Sequence, residues 1–293
     1  MANSRWIGIA CLVITAVGWG LNWPFIKVLL RELPPLSARG MAGVVAAIML
    51  VGVARARGER LGVPLHAVPR LLLATFTNVF VWMGLGTMAM QWVTVSEGAL
   101  LAYTMPIWAT LLSWPLLGVR PTLRDLLALG LGFAGIVTLF GGDGFALGPE
   151  KLLGAAMALA AAILFAFGTV ANSKPIPVPP VALVAWQVGL GCLAMLVYGL
   201  IFEKPDFAAV SLPVWGAMVY MTLVPMAVCY LTWFETLRRM PAATASTGML
   251  LVPVVGVVSA ALIIGEPLGL RVVMAMVLTL GGVTLALQRG RAP

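Results

Sequence analysis

Charge is scarce in this chain of 293 residues: Asp, Glu, Lys and Arg together make up 10% of it, against about a quarter of an ordinary soluble domain. Histidine occurs once, as His66, and cysteine three times, at 11, 192 and 229. The cysteines are far apart and each stands within an apolar run, so their spacing suits neither a metal nor a redox pair, and no cofactor is expected. The motifs of hydrolytic and nucleotide chemistry are also missing: there is no HExxH, no GxSxG and no GxxxxGK[ST]. No pair of Asp residues stands inside an apolar run. These absences argue against an enzyme, even a polytopic one, and against an ATP-driven pump.

What fills the chain instead is apolar. Hydrophobic residues make up 61% of it, enough for roughly nine or ten membrane helices of about 20 residues each. Apolar windows read against their charged or Pro/Gly borders predict ten spans, at 6–30, 35–54, 69–91, 97–118, 121–141, 150–172, 180–202, 213–236, 241–264 and 268–288. The expected fold class is therefore an all-α polytopic membrane protein with lipid around it. The first span is longer than a signal-peptide core and reads as a retained helix.

A formal charge of +8 would raise the question of nucleic acid in a soluble protein. Here the basic residues lie between apolar runs, so no nucleic-acid partner is expected and the charges orient the chain instead. With the N-terminus inside, Arg5, Arg55, Arg57, Arg60, Arg70, Arg120, Arg124, Lys174, Arg238, Arg239, Arg289 and Arg291 fall on one side, and Lys27, Arg31, Arg39, Lys151, Lys204 and Arg271 on the other. That split of 12 to 6 puts both termini in the cytoplasm.

The chain also repeats. Residues 103–139 lie over 250–286 at a constant offset of 147, placing Pro106 on Pro253, Gly118 on Gly265, Arg124 on Arg271 and Gly135 on Gly282. Near the first and sixth spans the offset is about 148, with Trp19-Gly20 over Phe167-Gly168. The halves are 1–145 and 146–293, five spans each. An odd number of spans forces the second copy into the membrane upside down relative to the first. Two inverted five-helix repeats are an architecture of secondary transporters, with the substrate near the midplane at their interface; a duplication without transport is the plainer alternative.

Three stretches carry a resemblance: WGLNWPFIK (19–27), EGALLAYTMPIWATLL (97–112) and LLVPVVGVVSAALIIGEPL (250–268). They resemble the drug/metabolite transporter superfamily, in its EamA-type ten-helix branch, over nearly the whole chain. Within that branch the tryptophan-rich pattern is most similar to the bacterial aromatic amino acid exporters. The resemblance implies an exporter of small metabolites in the bacterial inner membrane. One departure is Arg120, at the exit where the second repeat carries Glu266, which weakens any role for a symmetric pair of acids.

Polar groups inside spans are candidate site residues because hydrocarbon penalises them unless they are paired or face water. Asn78 stands in the third span near Thr75, Trp82 and Met83; Asn22 lies beside Trp19 and Trp23; Trp186 and Gln187 lie in the seventh span. Tyr103 precedes Pro106, and Tyr230 shares a face with Trp233. An aromatic cavity with amides and hydroxyls suits a solute with an apolar body and a polar end. Tryptophans near span ends, such as Trp6, Trp92 and Trp215, equally suit interfacial anchoring. Pro24, Pro106, Pro225 and Pro253 fall within spans and bend them, and the repeat-related pair Pro106 and Pro253 are the expected hinges.

No carboxylate maps to a midplane, so no proton relay is visible; coupling, if present, would use Glu97 or Glu235. Arg39 maps to the outer leaflet, where it either snorkels or meets a substrate carboxylate at the outer mouth. GLGFAG at 130–135 fits a dinucleotide motif but lacks the strand it needs; close helix packing explains it better, as it does Gly84 with Gly86 and Gly281 with Gly282. The expected function is export of amino acids, aromatic or otherwise apolar, and related metabolites by a monomer working through alternating access. A facilitative channel or carrier for other small solutes is the alternative, distinguished by whether flux saturates and responds to counter-substrate.

Overall fold

The computed structural model describes residues 2–141 and 148–287, and the side chains of all of these except 2, 3 and 243. Among the described residues, ten helices are long and apolar enough to cross a membrane: α1 (Ser4–Leu29), α2 (Pro35–Ala56), α3 (Leu65–Ala89), α4 (Val95–Leu117), α5 (Leu123–Phe140), α6 (Pro149–Ala171), α7 (Pro180–Phe202), α8 (Leu212–Arg239), α9 (Thr244–Ile264) and α10 (Leu270–Leu287). All ten predicted spans are present, with shifts of a few residues. The boundary expected at 145–146 and the basic residues Arg289 and Arg291 lie outside the described residues. We call the side on which α1 begins proximal and the other distal.

Local chemistry sets the helix ends. Proline opens α2, α6 and α7, at a position where the missing N–H is not needed. Thr94 with Glu97 and Thr122 with Asp125 form capping boxes at the starts of α4 and α5. Gly118 and Gly265 close α4 and α9 in the left-handed region, at φ 73° and 70°, a conformation that costs glycine nothing. These two glycines are repeat equivalents.

The helices pack as two inverted halves. The largest interfaces join α2 to α7 and α5 to α10, each helix to its own repeat equivalent. Close approaches run in opposite directions along both pairs. A Cβ on Gly40 would meet Leu196, one on Gly43 would meet Cys192 and one on Gly199 would meet Ser37; across the other pair, Gly135 faces Ala275 and Thr279, and Gly282 faces Ala128 and Gly132. Equivalent helices therefore run antiparallel, as a two-fold axis lying in the membrane plane requires. Around these pairs, α1 packs on α8 and α9, and its counterpart α6 packs on α3 and α4.

The same axis relates the irregularities. A π-helical stretch interrupts α3 at Phe76–Val81 and α8 at Val224–Val228. Helix α4 breaks at residues 103–104 and α9 at residues 249–250, just before Pro106 and Pro253, which cannot donate to the carbonyls four residues earlier.

Four acids tie the halves together by capping a helix of the opposite half. Glu203 accepts from the backbone N–H of Leu36 (3.1 Å) and Ser37 (2.7 Å) at the start of α2, while Glu59 accepts from Ala182 (2.9 Å) in the first turn of α7. Glu266 accepts from Val95 (2.9 Å) and Ser96 (3.1 Å) at the start of α4, and Glu32 from the N–H and hydroxyl of Ser211, both at 2.7 Å, before α8. A carboxylate suits these sites because helix N-termini present unpaired N–H groups and positive dipole ends. Three of the four lie on the distal side.

The Ser211 backbone and hydroxyl bonds hold the Glu32 carboxyl below its ordinary value. A depressed carboxyl pKa contributes stability that is complete above the unfolded value and lost as pH falls through the folded one. The melting-temperature gap between wild type and Glu32→Gln should therefore be constant above the ordinary carboxylate range and close as the pH falls through and below it. A gap unchanged across that range would count against the tether.

Candidate functional site

A cavity of about 520 Å³ lies between the halves. Its walls come from α1, α2, α3 and α4 of the first half and α6, α8, α9 and α10 of the second. Trp19, Trp23, Trp82, Phe165, Tyr230 and Trp233 give it an aromatic lining. Trp19 meets Tyr230 edge-on at 5.5 Å between ring centres, and Trp82 lies 4.8 Å from Phe165. The Trp19 indole donates to the Pro225 carbonyl at 2.9 Å, which pins α1 to the π-helical stretch of α8.

Both helix breaks open onto this space. Ala102, Tyr103, Met105 and Pro106 line it from α4, and Ser246, Met249 and Leu250 line it from α9. Pro253 is buried in α9 one turn beyond the break and is not among the described lining residues.

Of the residues anticipated from the sequence, Trp19, Asn22, Trp82, Tyr103, Tyr230 and Pro106 lie together in the cavity wall. Asn78, Trp186 and Gln187 do not. Asn78 sits in the π-helical stretch of α3, accepts from the Thr77 hydroxyl at 3.0 Å and packs against Gly168 of α6. Trp186 points to the periphery, where its indole donates to the Leu61 carbonyl at 2.8 Å beside an apolar groove between α2 and α7. Gln187 is half-buried on α7, away from the cavity.

Arg39 corrects an expectation. Rather than snorkelling to the outer leaflet, it is 6% exposed and lines the cavity. Its Nε and Nη1 are buried without a hydrogen-bond partner, and the same is true of Asn22 Oδ1. Phe165 was also not anticipated; an aromatic in an apolar span carries no signal of the direction in which it points. For Arg39 the signal was present, as an arginine five residues inside a span, but composition does not say which side of the helix faces protein.

The two ends of the cavity differ. Distally, every residue of the first segment of α4, Val95–Ala102, is buried. Glu266 caps this segment, and Lys151 of α6 pairs with Glu97 at 2.7 Å. Lys27 of α1 lies within the field of both acids. Proximally, the equivalent segment of α9, Ala242–Gly248, follows Pro241, which offers no side-chain cap, and its described side chains are mostly exposed or half-exposed. The walls continue there to Leu287, the last residue of α10, and to exposed Thr169. Among the described residues the cavity is thus bounded by buried side chains distally, while its wall reaches exposed residues proximally.

A model of the EamA-like transporter family matches this chain twice, over residues 6–141 and 152–288. A Bacillus subtilis protein named "Uncharacterized transporter YvbV" is 25% identical over 284 residues, covering 96% of this chain and 92% of the relative. A Salmonella typhimurium protein named "Probable amino-acid metabolite efflux pump" is 28% identical, covering 95% and 94%. A Streptantibioticus cattleyicolor protein named "Probable terminal-alkyne amino-acid exporter" is 27% identical, covering 87% and 84%. A solved crystal structure shares the fold, with a TM-score of 0.67 at 21% identity over 98% of this chain and 96% of that one.

Proposed function

The chain belongs to the EamA-like transporter family, and from that premise we propose that it exports amino acids, aromatic or otherwise apolar ones foremost, and related small metabolites by alternating access. The observation that carries the reading is one aromatic cavity between two antiparallel halves whose equivalent half-helices sit in different environments. The first segment of α4 is capped and buried; that of α9 follows a proline with no side-chain cap and is largely exposed. If each half adopted the conformation of the other, the sealed and open ends would exchange, which is how inverted repeats give alternating access.

The breaks before Pro106 and Pro253 are the hinges of that exchange. Two of the relatives are named for amino-acid efflux or export, which supports the substrate class. The charge balance between loops supports placing the proximal side and both termini in the cytoplasm, and bacterial relatives named as transporters support a bacterial inner-membrane location. The conformation described is then open to the cytoplasm, the loading state of an exporter. The protein acts as a monomer made of halves 1–145 and 146–293, catalyses no reaction and needs no cofactor.

The test is counterflow of labelled phenylalanine and tryptophan in proteoliposomes. Saturable uptake stimulated by internal substrate is expected, with Trp82→Ala reducing it about tenfold or more and Trp186→Ala leaving it unchanged. Non-saturating flux indifferent to internal substrate would indicate a pore and overturn the carrier.

A further inference from the structure

We infer that Arg39 is the carboxylate anchor of the cavity, so that the protein selects substrates by a carboxylate joined to an apolar body, with the amino group secondary. This deepens the export reading above and rests on it.

The guanidinium keeps its charge under all physiological conditions. Burying it without a counter-ion is unfavourable, and such groups are normally paired. Here its Nε and Nη1 are buried and unpartnered, on the wall of a space large enough for an amino acid. Among the described residues, none that lines that space is an acid. The buried acid Glu97 is committed elsewhere, to Lys151 and to the Thr94 N–H.

The arriving carboxylate therefore finds an ionic partner, with the fork geometry that binds two oxygens at once. An arriving ammonium finds only neutral acceptors, of which Asn22 Oδ1 is buried and unpartnered. A carboxylate on the guanidinium gains charge–charge attraction as well as two hydrogen bonds, whereas an ammonium on an amide oxygen meets only a dipole, so losing the carboxylate should cost far more than losing the amine. The aromatic walls then receive the apolar body.

Four probes separate these contributions: L-phenylalanine, 3-phenylpropionate without the amine, and L-phenylalaninamide and 2-phenylethylamine without the carboxylate. Binding to the purified full chain is read by quenching of the cavity tryptophans and by thermal stabilisation, alongside flux of labelled phenylalanine. The two acids should bind within about tenfold of one another, and the amide and amine about a hundredfold more weakly. Arg39→Gln should abolish that preference, and Arg39→Lys should keep part of it.

Equal binding of amine and acid by the wild type, or an acid preference that survives Arg39→Gln, would overturn the inference. If Arg39→Gln fails to fold, the wild-type series and Arg39→Lys still decide. Acid-selective binding without phenylalanine flux would remove the export reading and leave the anchor. Phenylalanine flux with no acid preference would do the reverse, and binding of none of the probes would remove both.

Discussion

Replacing Glu266 with alanine should raise access to the cavity from the distal side by about ten- to a hundredfold. Glu266 follows α9 in the second half, yet its two oxygens accept from Val95 and Ser96 at the start of α4 in the first. A hydrogen bond to a charged group is worth about 1.5–3 kcal/mol, and water replaces part of it when the end opens. A net loss of about 1.5–3 kcal/mol corresponds to the stated factor, since about 1.4 kcal/mol is tenfold. The Lys151–Glu97 pair still holds the same segment to α6, so the seal should loosen without disappearing.

The measurement uses a chain with its three cysteines replaced and Ala102→Cys introduced in the cavity wall, labelled by an impermeant thiol reagent from the distal side. Glu266→Gln, which keeps an acceptor but loses the charge, should fall between wild type and alanine. Labelling rates indistinguishable among the three would show that Glu266 does not hold the end closed. At the exit of α4 the position equivalent to Glu266 is Val119, followed by Arg120, so no acid stands there, and the residue before the first segment of α9, Pro241, offers no side-chain cap. The departure noted in the sequence thus coincides with the side on which the cavity opens.

Gly135→Leu should prevent most of the protein from folding. A Cβ at Gly135 would stand 2.2 Å from Thr279 Oγ1, 3.0 Å from the Ala275 carbonyl and 3.1 Å from the Thr279 N–H. Two of those atoms are backbone, so α5 and α10 must separate. Overpacking of this kind costs about 1–3 kcal/mol even where neighbours can move, and parting two helices forfeits close packing along their whole length. The yield of monodisperse protein should fall several-fold and the melting temperature of the remainder by about 5–10 °C. Gly130→Leu and Gly281→Leu are the controls, because a Cβ at either position meets nothing within 4 Å. If all three variants behaved alike, the close approach of α5 and α10 would not be what stabilises the pair.

Those controls show where the sequence stops speaking. The run GLGFAG reads as a packing face, and Gly132 and Gly135 do pack, while Gly130 does not; Gly282 packs and neighbouring Gly281 does not; and Gly86 lines the cavity instead. Small residues allow close approach on any side of a helix. Which side is used depends on the partner helix.

Asn78 shows the same limit differently. Four residues apart on an α-helix, Asn78 and Trp82 would share a face. The π-helical stretch Phe76–Val81 carries an extra residue in its turn, so the two side chains diverge: Trp82 enters the cavity and Asn78 turns to Gly168. Nothing in the residue types of that stretch announces the bulge. In α8 the equivalent bulge is marked by Pro225.

The ten spans follow from residue order alone, because hydrocarbon demands continuous apolar length and loops demand charge or helix breakers. Residue order also determines the duplication, since Pro106, Gly118, Gly135 and their partners recur at one offset, and an odd span count then inverts the second half. The direction each apolar helix faces is set by packing between helices. A helix that is apolar all round can bury any face at similar cost, so the choice among lipid, protein and cavity falls to the packing of α2 on α7 and α5 on α10. That packing places buried, unpaired Arg39 on the cavity wall, sends Trp186 to the periphery, and closes the distal end with acids that reach across from one half to the other.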